Sequence, residues 1–342
     1  MASPGLSEIV TTTLRNRSAK LADNMLRNNA VWMRLNKRGN VKTFGGGRTI
    51  TAPLEYANNT TYKRYSGYEV LNIQPSDVFT DAEYPIRQTA CAVSISGLEQ
   101  LQNSGIEAVI DLLEGRIKNA EKTMQNGMSY DCYGDGSLTG QINGLRALVS
   151  TTPTSGVVGG IDRATWTFWQ NQEYASTTDG GAAFSSANAY AQMLALYTRL
   201  TRQSDRPDLI LASDAAWRAY NESLHAIQRI TDTSSDMAKA GFLSVKFMDC
   251  DVVLDGGFQG TTTDGNTFGS GGAGAVGGVP SSVNMYFLNT NYIYLRPHRD
   301  RNMVPLDPDR FSVNQDAMVK LIAWAGNMCI SNSFLQGVLS TD

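Results

Sequence analysis

The sequence predicts an α+β fold: one unit built on a long helix and an extended β-hairpin arm, with an α/β module inserted into it. Three observations carry this reading. Apolar residues recur at near-helical spacing from Leu98 to Cys132, further than the helix of a small domain usually runs. Helix and strand patterns then alternate between 187 and 254, as in an α/β module. Strand character returns at 285–295 and 317–330 with apolar residues on both faces, so the chain goes out into a second unit and comes back to the first. The 342 residues are enough for two units with cores of their own.

Composition bounds the class before any element is placed. Hydrophobic residues make up 42% of the chain and charged residues 18%, close to globular usage and unlike a disordered chain. No stretch approaches the roughly 18 consecutive apolar residues of a membrane span, and residues 1–10 lack the apolar centre of a signal peptide. The cytosol is the expected place of folding. Cys91, Cys132, Cys250 and Cys329 are far apart, with no CxxC pair, so reduced and mostly buried thiols are expected rather than a disulfide framework or a zinc site.

Residues 1–48 hold nine Lys or Arg against Glu8 and Asp23, a surplus of +7 that leaves the remainder at −10 although the whole chain is only −3. Leu6, Ile9, Val10, Leu14, Leu21, Met25, Trp32 and Leu35 fall mostly three, four or seven apart, so residues 1–40 are expected as a basic amphipathic arm. Arg15, Arg17, Lys20 and Arg27 are among its polar residues. The asymmetry points to an acidic partner, nucleic acid or protein, with a plain solvated helix face as the alternative.

Glycines at 45–47 break that pattern, and Ile50, Ala52, Leu54 and Tyr56 then alternate as in a half-buried strand. Residues 58–68 carry turn formers and tyrosines but no aliphatic core, and a strand-like pattern resumes at 68–73, so an extended hairpin loop is expected over 41–83. A lone two-stranded hairpin is marginal in water, because it buries too little surface to offset its ordering entropy. Tyr56, Tyr62, Tyr65, Tyr68 and Arg64 are residue types enriched in interfaces, which makes a neighbouring subunit the expected support; an ordinary surface loop is the alternative.

The return strand is expected at 84–96, running into a capping box at Ser96-Gly97-Leu98-Glu99. The helix that follows, to Cys132, would be roughly 50 Å long at 1.5 Å per residue. Gly105, Gly115 and Gly127 each cost about 1 kcal/mol relative to alanine and mark where it could bend or break. Gly134-Asp135-Gly136-Ser137 ends it. In the α/β region, a helix at 187–203 places Tyr190, Met193, Leu194, Tyr197 and Leu200 on one face, and a helix at 214–230 does the same for Trp217, Tyr220, Leu224 and Ile227. Short strands are expected at 208–212 and 252–254, and the Gly-, Ser- and Thr-rich stretch 256–282 as a surface loop.

No motif for catalysis stands out. Gly272, Gly274 and Gly277 satisfy GxGxxG, but a glycine tract precedes them and Pro280-Ser281-Ser282 follows, so the strand and helix that phosphate binding requires are missing. Neither GxxxxGK[ST] nor GxSxG occurs. His225, within a helical pattern, and His298, after Pro297, read as structural. The pairs Asp249/Asp251 and Asp307/Asp309 lack the glycine and closing glutamate of a calcium loop and read as solvated acids. No catalytic, cofactor-binding or metal-ligating residue is expected.

The order of arm, hairpin, long helix, α/β module and returning strands resembles the major capsid proteins of tailed bacteriophages with the Hong Kong 97-type capsid fold. The similarity runs over essentially the whole chain. Its local carriers are Asp77-Val78-Phe79-Thr80-Asp81-Ala82-Glu83-Tyr84, Ser94-Ile95-Ser96-Gly97, Tyr133-Gly134-Asp135-Gly136, Gly159-Gly160-Ile161-Asp162-Arg163 and Asn314-Gln315-Asp316-Ala317. The resemblance implies an N-arm (1–40), an extended loop (41–83), a peripheral domain with its spine helix (84–137), an axial domain (138–283) and peripheral return strands (284–342). It implies a non-enzymatic subunit without cofactor that self-assembles into pentamers and hexamers of an icosahedral head around double-stranded DNA, assembled in the host cytoplasm and resident in the virion.

On this resemblance Tyr56, Tyr62, Lys63, Arg64, Tyr65 and Tyr68 contact the adjacent subunit, and Arg15, Arg17, Lys20 and Arg27 face packaged DNA or an acidic scaffold without base specificity. A separate scaffolding protein is expected because no long segment precedes the arm; a portal protein and a decoration protein are the further partners, and no membrane is involved. Some members cross-link a loop lysine to an asparagine with the help of a glutamate. Lys63 and either Asn327 or Asn332 are the candidates, but no glutamate follows Glu222, which argues for a shell without cross-links. An encapsulin-type compartment resembles the same fold and is the nearest alternative, separable by its contents. More remote are an α/β enzyme using the acids at 205–214 and a carbohydrate-binding module using exposed aromatics.

Overall fold

The computed structural model describes residues 29–98, 106–225, 244–254, 283–306, 310–311 and 317–341. The first element, α1 (Ala30–Lys37), starts where Asn29 accepts hydrogen bonds from the backbone N–H groups of Val31 and Trp32 at 2.9 and 3.3 Å, a side-chain cap on the helix's unsatisfied donors. Ala30, Val31, Trp32 and Leu35 are fully buried. The end of the arm region at 29–38 is therefore core rather than a solvated basic helix. Residues 1–28, with Arg15, Arg17, Lys20 and Arg27, lie outside the described residues.

The hairpin pairs β1 (Thr49–Glu55) with β2 (Phe79–Pro85) antiparallel, Ile50 opposite Tyr84 and Leu54 opposite Thr80. Ile50, Ala52, Leu54, Ala82 and Tyr84 point inward, and the alternate residues point to solvent, as the period of two requires. No ladder extends beyond this base: residues 56–78 form no strand, so the strand expected at 68–73 is absent. The expected return strand is two strands, β2 and β3 (Arg87–Ser96), divided at Ile86.

The long helix is α2 (Ile106–Asp131), about 39 Å at 1.5 Å per residue, and it continues through Gly115 and Gly127 without interruption. Ile117, Ala120, Met124 and Met128 form its buried stripe, spaced three or four residues apart. The helix packs across β3. Ser96 of the expected capping box ends β3, and Glu99 and Gly105 lie outside the described residues. β3 pairs antiparallel with the 14-residue β13 (Ala317–Ile330), whose other side holds β11 (Ile293–Pro305) and β12 (Arg310–Phe311).

Between α2 and the second sheet lie the short α3 (Leu145–Leu148) and the hairpin of β4 (Val157–Val158) with β5 (Ile161–Asp162). The second sheet has six strands in the order β6 (Gln172–Ala175), β14 (Gly337–Ser340), β10 (Val283–Leu288), β7 (Leu209–Ala212), β9 (Cys250–Leu254) and β8 (Ser244–Phe247). The β6/β14 and β7/β9 pairs are parallel and the rest antiparallel. Its central strands are buried on both faces. Leu209 and Leu211 of β7 and Tyr286 and Leu288 of β10 join the core of α1, α2 and the four-stranded sheet, while Ile210, Ala212, Met285 and Phe287 join a second core under α4 (Ala189–Leu200) and α5 (Asp214–His225). This two-sided burial is why these strands read as continuous apolar runs.

Two expectations change here. The strand read at 285–295 is two strands in different sheets, β10 in the six-stranded and β11 in the four-stranded one, joined by a 3-10 turn at Thr290–Tyr292. The buried face of α4 is Ala189, Gln192, Met193, Leu196 and Leu200, with Tyr190 partly exposed. Tyr190, Tyr197 and Tyr220 instead meet the ring of Phe247 edge-on, with centroids 5.6–6.0 Å away. The described part of α5 buries Ala216 and Tyr220, and Ile227 and residues 255–282 lie outside the described residues.

Candidate subunit interface

The loop at 56–78 inverts the usual placement of apolar groups. Tyr62 is 82% exposed, Tyr68 fully so, Val70 and Ile73 90% each, and Phe79 at the foot of β2 73%. Tyr65 is exposed as well. Scattered apolar residues on a surface need no explanation, but a contiguous set on a segment without its own sheet or core marks an interaction surface. What order the loop has comes from local polar contacts. Asn59 accepts from the Thr61 hydroxyl at 2.7 Å and its N–H at 2.9 Å, and Lys63 pairs with Glu69 at 2.8 Å.

Of the sequence-predicted interface residues, five lie out on the loop and one does not. Tyr56 is half-buried at the base, where its ring meets Trp166 at 6.1 Å and Phe168 at 5.6 Å. Arg64 is exposed. Sequence reading missed Val70, Ile73, Phe79 and Trp166. The signal for Val70 and Ile73 lies in the apolar residues of 70–73, which read from sequence only as a strand-like pattern.

The base of the loop is firmly held. Tyr84 is buried and its hydroxyl donates to the Ile330 carbonyl at 3.0 Å and accepts from the Ile330 N–H at 3.2 Å. Burial, with the nearby Cys329 adding to it, pushes the Tyr84 phenol well above its ordinary range, so it stays a neutral donor and acceptor. The Glu83 N–H donates to Gly159 O at 2.9 Å. Gly159 has φ +59°, and a Cβ there would lie 2.9 Å from Ala82 and 3.0 Å from the Tyr84 ring. Only glycine fits under the hairpin.

A second fixed point joins α1 to the six-stranded sheet. Arg34 reaches Asp208 at 3.0 Å and Asp251 at 3.6 Å, and Arg38 reaches Asp208 at 3.0 Å. Asp208 also accepts from the Thr290 N–H at 2.7 Å and its hydroxyl at 2.6 Å. Asp208 thus holds the segment between the sheets as well as the helix, and Asp251 adds a second contact to Arg34. These acids were read as solvated or as remote catalytic candidates; Asp208 and Asp251 are buried structural partners, and Asp249 meets Arg206 at 2.9 Å on the surface.

The cross-linking candidates separate clearly. Asn327 is fully buried, accepts from the N–H groups of Asn143 and Met328 at 2.8 Å each, and donates to Pro85 O at 2.8 Å. An amide so enclosed cannot meet a lysine. Asn332 is half-buried and lines an open groove of about 960 Å³ with Tyr56, Phe168 and Phe334, over which Arg202 stacks at 4.0 Å. His298 is half-buried, edge-on to Phe44 at 5.0 Å, and accepts from the Asp300 N–H at 3.1 Å. All four cysteines are free, and burial pushes the Cys329 thiol up to about 12. Among the described residues no cluster of His, Cys, Asp or Glu could hold a metal ion, and no helix is long and apolar enough to cross a membrane.

No family model and no curated protein matches the chain. Solved structures do. A chain of the cyanophage A-1(L) capsid asymmetric unit superposes with a TM-score of 0.61 at 15% identity, over 90% of this chain and 92% of that one. The capsid of a native GTA particle gives 0.51 at 11% identity over 89% and 88%, and a chain of Mycobacterium phage Bobi 0.50 at 11% over 89% of each. Across nearly its full length, this chain has the α+β fold of the chains in these phage and GTA-particle structures.

Proposed function

We propose that this chain is a major capsid protein, a structural subunit without enzymatic activity that assembles into the pentamers and hexamers of a tailed-phage head enclosing double-stranded DNA. One observation carries the reading: a chain with the fold of capsid subunits projects a loop whose Tyr62, Tyr68, Val70 and Ile73 have no cover in the isolated subunit. Supplying that cover from an adjacent copy, repeated around a ring, turns an exposed apolar arm into an assembly contact. In this arrangement the six-stranded sheet with α4 and α5 is the axial unit, the four-stranded sheet with α2 the peripheral unit, and 56–78 the extended loop.

The basic residues before Asn29 contact DNA or an acidic scaffold, and scaffold, portal and decoration proteins complete the particle. Assembly takes place in the host cytoplasm, and the protein resides in the virion. Size-exclusion chromatography and negative-stain electron microscopy of the purified chain, with and without a co-expressed scaffold, test the proposal. Shells, tubes or capsomer rings are expected; a strictly monomeric or dimeric chain under every condition overturns it.

A further inference from the structure

The outward face of β2 carries an uncompensated charge. Residues 79, 81 and 83 point the same way, and Glu55 stands opposite Phe79 in the register, so Phe79, Asp81, Glu83 and Glu55 share one exposed face. Asp77 continues it. None of these four carboxylates has a cationic partner among the described residues, and like charges set side by side on a sheet repel. Beside them lies an open groove of about 680 Å³ walled by Tyr56, Phe79, Trp166 and Phe168 and edged by Asp77, Asp81, Glu83 and Asp162, with no lysine or arginine among the described residues that line it. Trp166 is 48% exposed there. Aromatic faces beside carboxylates form a receptor for a guanidinium, which can stack on a ring while its edge donates to two oxygens.

The chain carries the complement. Arg64 is exposed without a partner among the described residues, whereas Lys63 next to it is engaged by Glu69, and the exposed rings of Tyr62 and Tyr65 flank the pair. Those exposures place the turn out of its own chain's groove. We propose that the acidic, aromatic groove at the foot of the loop receives residues 62–65 of a second copy, with Arg64 as the anchoring cation. This deepens the subunit reading and rests on it: a loop tip on one copy and a groove on the next form a head-to-tail contact, the kind that closes into rings.

Charge exchange in the full-length chain tests the contact, with shell yield read by gradient sedimentation and electron microscopy and folding checked by thermal melting of the unassembled subunit. Arg64→Asp and Asp81→Arg should each lower yield about tenfold or more without lowering the melting temperature, since an exposed rim charge contributes little to the fold but repeats at every contact. Combining the two should restore most of the yield. The same restoration with Glu83→Arg in place of Asp81→Arg equally supports the groove. Wild-type yield from Arg64→Asp overturns the proposal, as does failure of both exchanges to rescue it. If Asp81→Arg fails while Arg64→Asp assembles normally, another cation, such as the basic segment before Asn29, occupies the groove and the proposal also falls. A wild-type chain that never forms particles would instead remove the subunit reading beneath it.

Discussion

At the scale of single residues, two glycines make opposite demands. A Cβ at Gly144 would stand 2.4 Å from Gly134 O and 2.5 Å from Asp131 O, so Gly144→Ala must displace backbone and should cost about 2–3 kcal/mol, read as a lowered urea midpoint. At Gly115 in α2 a Cβ meets nothing within 4 Å, and Gly115→Ala should stabilise by about 1 kcal/mol. Equal effects from the two would show that the close approach at 144 is not a constraint. Asp131, at the end of α2, has a carboxyl raised by burial to about 6 although the Gln141 amide, donating at 3.0 Å, pulls it down. The fold therefore binds that proton more tightly than the unfolded chain does. The contribution of this group to stability is largest below the ordinary value of 3.8 and is lost as pH rises through 6. Asp131→Asn should flatten this fall and add up to about 2 kcal/mol at pH 7.5; a variant with an unchanged slope would assign the titration to another group.

At the scale of elements, what matters is how a short helix is kept in place. α1 has eight residues, too few to be stable alone, and it survives through Trp32 and Leu35 in the core and Arg34 and Arg38 on Asp208. Asp208→Ala leaves the two guanidiniums with one carboxylate between them, Asp251 at Arg34, and strips Thr290 of its acceptor. A loss of about 3 kcal/mol is expected in urea denaturation, with faster proteolysis near Gly39. A loss under about 0.5 kcal/mol would mean the cluster is solvated in practice. For the same reason, removing the basic arm to probe DNA contact has to stop before Asn29, since a cut at 38 removes core.

At the scale of the whole molecule, the subunit and its assembly separate cleanly. Residues 57–76 contribute nothing to either hydrophobic core, whereas the β1/β2 base contributes Ile50, Leu54 and Tyr84. Replacing 57–76 by a short Gly-Ser turn should therefore leave the melting temperature within a few degrees of wild type while abolishing shells in the electron microscope. A variant that melts far lower would make the loop part of the fold, and one that still assembles would remove it from the interface.

The sequence by itself determined the local periods and the polarity of each segment: alternation in β1, the stripe of α2, the apolar runs of β7, β9 and β13, and the absence of an aliphatic core around the tyrosines of the loop. It also carried the order of elements that resembles a capsid subunit. Only the tertiary structure decided which partner each buried strand takes. A run such as 285–295 reports that it is apolar, and burial does not name the partner strand, so nothing local reveals that β10 and β11 part at Thr290 into different sheets. The same limit hid the role of Asp208, whose partners lie 174 and 82 residues away. It also hid the exposure of Val70 and Ile73, because an apolar residue declares its need for cover while the surrounding fold alone decides whether the same chain supplies it.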